Sequence, residues 1–93
     1  MAHLDVDLVA ADRKIWSGEA SMVSAPAADG EIGILPGHAP VLSVLRAGEI
    51  RVTPIAGFKI HGTGTGGFLS VDANRVTIVA DSVTITDGAA ATN

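Results

Sequence analysis

Glu31 and His38 are the two side chains in this sequence whose types and spacing invite chemistry. They lie seven residues apart in GEIGILPGHAPVL, residues 30 to 42, a stretch that also holds glycine and proline between apolar patches. An acid and an imidazole held in a rigid turn can form an active site or present polar tips to a docking partner. They can also serve the turn alone, with His38 satisfying a backbone carbonyl. Nucleophilic catalysis further requires a Ser or Thr with a base and an orienting group, and no serine here sits in a nucleophile-elbow motif.

The other candidates are weaker. GTGTGG at 62–67 is glycine-rich, but a phosphate cradle needs a helix to open directly after the glycines. Phe68-Leu69-Ser70-Val71 follows and reads as strand, so a bulged or kinked strand is expected instead. His3, His38 and His61 have no second ligand at the two-to-five-residue spacing of zinc motifs, so no metal site is expected. Trp16, Phe58 and Phe68, the only aromatic residues, fall in β patterning and read as core or edge packing rather than a sugar platform. No catalytic residue and no cofactor are therefore expected within this chain.

Composition narrows the partners. Ninety-three residues make one domain, and the absence of cysteine removes disulfides and thiolate chemistry. Ten acidic against six basic residues give a net charge of −4 with no basic cluster, which argues against nucleic acid. The N-terminus has no signal-peptide pattern, and no apolar run approaches the ~20 residues that span a bilayer. A soluble chain without direct membrane insertion is expected.

The elements that must position the turn read as strands throughout. Leu4, Val6 and Leu8 alternate with Asp5 and Asp7, and Val76, Ile78 and Ala80 alternate with Thr77 and Val79. Turns are expected at Asp12–Lys14, Ala28–Gly30, Pro36–Gly37, Ala47–Glu49 and Asp72–Asn74. A short strand at Ile15–Trp16 is expected to stop at Ser17–Gly18, and the next strand to end at Pro26. The strand begun at Phe58-Lys59-Ile60 is expected to dissolve into the glycines. The reading is all-β, a flattened sandwich or barrel of about ten short strands with an aliphatic core. It occupies residues 1–86, and 87–93 form a loose tail.

IWSG at 15–18, GEIGILPGHAP at 30–40, GEIRV at 48–52, GGFLSV at 66–71 and VTIVAD at 76–81 follow one another along residues 3 to 86. In that order they resemble the N-terminal β-sandwich domain of the epsilon subunits of rotary F-type ATP synthases, called delta in mitochondria. The resemblance implies a ten-stranded sandwich on the central stalk that binds the gamma subunit by one side and the c-ring by one end. It also implies no self-contained nucleotide site, and a place in the F1 sector at the cytoplasmic face of a bacterial plasma membrane. By the same resemblance Glu31, Pro36, Gly37, His38, Ala39 and Pro40 would form the c-ring docking loop. A free-standing β-sandwich that binds a ligand is the alternative.

Two features depart from the family. Its members commonly continue into a C-terminal helical hairpin, and this sequence reaches Asn93 before any helix, so hairpin-based regulation and ATP binding are not carried over. Gly62 and Gly64 replace apolar side chains in the strand leading to Gly66-Gly67, which should make it the weakest of the sheet.

Overall fold

The computed structural model describes residues 3–11, 13–55 and 60–87. Alternating side chains produce nine strands and no helix among them. In β1 (Leu4–Ala10) and β8 (Arg75–Ala80), Leu4, Val6, Leu8, Val76, Ile78 and Ala80 all point into the core. These two strands pair in parallel with Val6 opposite Val76 and Leu8 opposite Ile78, so apolar rows continue across the joint. Every other pairing is antiparallel.

β2 (Arg13–Ala27) organises the remainder. Its first half pairs with β1, and its second half pairs with β3 (Gly30–Ile34) and β5 (Gly48–Pro54) and touches β4 (Val41–Leu45). β4 pairs with β7 (Gly67–Asp72), and β7 with β8, which closes a ring through β1 back to β2. β6 (Ile60–Gly64) and β9 (Val83–Asp87) extend the sheet beyond β5. The thinnest dimension is 22 Å, which two sheets about 10 Å apart fill once their outer side chains are counted. Leu4, Leu8, Ile34, Leu69 and Ile78 are the largest fully buried side chains, and the core is aliphatic as expected.

A straight β2 would run about 46 Å, longer than the molecule's 36 Å axis, so it must bend. Register shifts against β1 between Lys14 and Trp16 (opposite Val9 and Leu8) and against β5 between Ala20 and Met22 mark the bends. The expected stops at Gly18 and Pro26 do not occur, and this merger of two expected strands turns ten into nine. The Trp16 ring lies over Gly18, where a Cβ would come within 2.8 Å of the indole. Glycine is there for the ring, not to end the strand. Pro26 lacks an N–H but its carbonyl accepts from the Arg46 N–H at 2.7 Å, and its ring packs against Gly48.

Other boundaries also differ. Arg13 and Lys14 already belong to β2 rather than to a turn. β6 continues through Gly62 and Gly64 because β5 and β9 pair with it on both sides, and the expected irregularity is a register shift at His61/Gly62. Phe58 and Lys59 lie outside the described residues, as do 88–93 of the expected tail, whereas Asp87 ends β9. Phe68 is not a core residue: it is 54% exposed on the outer face of β7.

Candidate functional site

The turn between β3 and β4 is built as its residue types require. Gly37 has φ +89°, a conformation that a Cβ disfavours. The His38 N–H donates to the Leu35 carbonyl at 3.1 Å and closes the turn. His38 Nδ1 lies 2.6 Å from the Ala39 carbonyl; a carbonyl only accepts, so Nδ1 carries the proton in this contact. The backbone-satisfying role is thus present, and Nε2 is the ring's remaining polar atom. The Gly37 N–H donates to Asn74 Oδ1 at 2.7 Å, across from the turn between β7 and β8.

Glu31 is not part of that turn. It sits in β3 opposite Pro26, exposed, about 10 Å of strand away from Ile34, after which the turn begins. The expected docking loop holds both, but Gly30–Ile34 pairs with β2 along its whole length. Glu31 belongs instead with a polar group on β5 and β6. There Glu49 bridges Arg51, at 3.0 Å, and His61, at 3.3 Å. The Arg51 guanidinium is held above its usual pKa by the Glu49 hydrogen bond and charge, with Glu31 adding to them.

His3, Asp5 and Glu19 form a group that spacing along the chain did not indicate. His3 Nε2 lies 3.3 Å from Asp5 and 3.5 Å from Glu19 because Asp5 and Glu19 face each other across β1 and β2. Their three potential ligand atoms are within 4.8 Å of one another, the one such group among the described residues. The imidazole between two facing carboxylates accounts for this geometry as a polar cluster at the surface of β1 and β2.

Outer-face registers reveal a feature that alternation alone conceals. Val44 on β4 faces Phe68 on β7, and Phe68 faces Val79 on β8. They are 58%, 54% and 37% exposed, and Leu42, 73% exposed, lies two residues from Val44. Val79 in turn faces Val9 on β1. One cross-strand row of this face is therefore apolar over four adjacent strands. The row nearest the Asn74 turn is charged, with Asp72 opposite Arg75 and Arg75 opposite Asp5. A contiguous apolar patch beside polar neighbours is the usual mark of a protein contact surface.

The glycine-rich stretch is strand, turn and strand. The Thr65 N–H donates to the Ser82 carbonyl, and the Asp81 N–H donates to the Gly66 carbonyl. No helix follows it to face a phosphate. The hydroxyls of Ser21 and Ser43 donate to main-chain carbonyls, and neither is paired with an imidazole.

Comparison with known proteins agrees with this geometry. Residues 3–86 match the family described as "ATP synthase, Delta/Epsilon chain, beta-sandwich domain". An ATP synthase epsilon chain of Micrococcus luteus is 52% identical over 91 residues, covering 98% of this chain and 100% of that protein. One from Rhodococcus erythropolis is 49% identical, over 88% of this chain and 68% of that protein. Among solved structures, a chain of the Euglena gracilis mitochondrial ATP synthase (OSCP/F1/c-ring) superposes with TM-score 0.85 at 24% identity. It covers 91% of this chain and 54% of its own length. A chain of the Tetrahymena thermophila mitochondrial ATP synthase (central stalk/c-ring) gives TM-score 0.74 at 19% identity, over 87% of this chain and 65% of that one.

Proposed function

The chain belongs to the ATP synthase delta/epsilon family, and we propose that it bridges the gamma subunit and the c-ring, coupling proton translocation to ATP synthesis. An epsilon chain is a non-catalytic subunit of the F1 sector. The relatives' fold appears in central-stalk and c-ring assemblies, which supports placing this chain there, at the cytoplasmic face of a bacterial membrane.

The apolar row Val44–Phe68–Val79 carries the reading. Exposed valines and a phenylalanine in direct cross-strand register gain nothing from water, and docking against a partner removes that apolar surface from it. We assign this side to gamma. The charged end with the Pro36, Gly37, His38, Ala39 and Pro40 turn suits the polar loops of a c-ring, where complementarity sets recognition. Glu31 lies toward the other end of β3, away from this turn.

Affinity capture of the tagged chain from detergent-solubilised membranes tests the bridge. Gamma and the c-ring are expected to co-purify with it. Recovery of the chain without either, together with a bound carbohydrate or other small ligand, would favour the free-standing module instead. Single replacements then separate the two ends: His38→Ala is expected to weaken c-ring attachment, and Glu31→Ala to leave it unchanged. The reverse result moves the c-ring contact to the opposite end.

A further inference from the structure

Asn74 makes two hydrogen bonds to segments remote from it in sequence. Its main-chain carbonyl accepts from the Asp5 N–H at 2.8 Å, at the start of β1. Its side-chain Oδ1 accepts from the Gly37 N–H at 2.7 Å, in the turn between β3 and β4. Asn74 itself has φ +65° and follows Ala73 at φ +50°, the two central residues of the β7–β8 turn. Both φ values are positive, as a type I′ hairpin requires, and asparagine is among the few side chains that accept this conformation. The same residue thus shapes one turn and reaches into another.

We propose that Asn74 is the positioning residue of the Pro36–His38 contact turn, fixing Gly37 against the β7–β8 hairpin so that the two turns present one rigid end-face. The proposal rests on the reading of that turn as a c-ring contact. Among the described residues the bonds within the turn are local, His38 N–H to the Leu35 carbonyl and His38 Nδ1 to the Ala39 carbonyl, so its tilt relative to the sheet depends on an external tie. The Gly37 amide is the donor that points out of the turn, and Asn74 Oδ1 meets it. A turn that transmits torque benefits from such a tie, because preorganisation lowers the ordering cost of every contact made through it.

Two substitutions separate positioning from hairpin structure. Asn74→Gly keeps the positive φ and the hairpin but removes the acceptor. Asn74→Asp keeps both the tolerated φ and an acceptor oxygen. Amide hydrogen exchange on the 93-residue chain then reads the tie directly. In Asn74→Gly the Gly37 amide is expected to exchange about five-fold faster, the weight of one ordinary hydrogen bond. The Val76 and Ile78 amides should hold their rates, and Asn74→Asp should restore Gly37 to the wild-type rate. Unchanged Gly37 exchange in Asn74→Gly would overturn the proposal, as would equal acceleration in both variants. Co-sedimentation with c-ring membranes is measured alongside. Weakened attachment in Asn74→Gly, rescued in Asn74→Asp, supports the clamp acting on the contact. If Gly37 loosens while attachment is full, the tie stands and the c-ring assignment of the turn fails.

Discussion

At the scale of single residues, backbone conformation and close approach decide which positions are fixed. Gly67 and Gly30 have φ +153° and +132°, yet their surroundings differ. A Cβ at Gly67 would overlap the Val79 carbonyl, whereas one at Gly30 would meet nothing within 4 Å. Gly30→Ala is therefore expected to cost about 1 kcal/mol through strain alone. Gly67→Ala must also push two paired strands apart and should cost about 3 kcal/mol or more; urea titration of both variants gives the comparison. Ala73 shows the opposite case, a Cβ held at φ +50° in the tight turn. Ala73→Gly should relieve about 1 kcal/mol of strain and raise the melting temperature by several degrees, as thermal unfolding would show. A lowered melting temperature would mean that the entropy glycine adds to the unfolded chain outweighs the strain relieved at Ala73.

At the scale of elements, what was legible in the sequence is what neighbouring residues decide. The Ala28–Asp29 and Ala73–Asn74 turns were legible because small and polar turn residues interrupt two alternating runs. The continuity of β2 was not, since Gly18 and Pro26 read as stops until Trp16 and Arg46 are seen to occupy them. The Asn74–Gly37 tie joins residues 37 apart in sequence, and no local pattern signals it. Glu31 was misplaced for a related reason: its distance from His38 depends on β3 being extended and fully paired. Outward-facing apolar residues were hidden as well. Alternation identifies two faces of β7 but not that Phe68, beside buried Leu69, faces outward. The doubt raised by Gly62 and Gly64 also belongs to this scale. β6 is paired on both sides, but its neighbour β9 is a five-residue edge strand, while β8 lies between six-residue β7 and seven-residue β1. Amides of 62–66 are therefore expected to exchange faster than those of Val76–Ala80. Equal protection would show that pairing alone compensates for the missing side chains.

At the scale of the whole molecule, the sandwich presents surfaces of different character. A charged, turn-bearing end lies near Asn74, and an apolar row crosses β4, β7, β8 and β1. Separate contacts of this kind suit the proposed bridge between a protein partner and a membrane ring. Direct binding of purified gamma to this chain tests whether the apolar row holds gamma, as proposed. Val44→Ser with Phe68→Ser removes the β4–β7 half of the row without touching the core, since both side chains are more than half exposed. Thr77→Ala, one row away on the same face, serves as the control. Titration by calorimetry should show the double variant binding gamma at least about ten-fold more weakly, with its melting temperature changed by less than about 4 °C, while Thr77→Ala binds as the wild type does. Wild-type affinity for gamma in a folded Val44→Ser, Phe68→Ser chain would contradict the account.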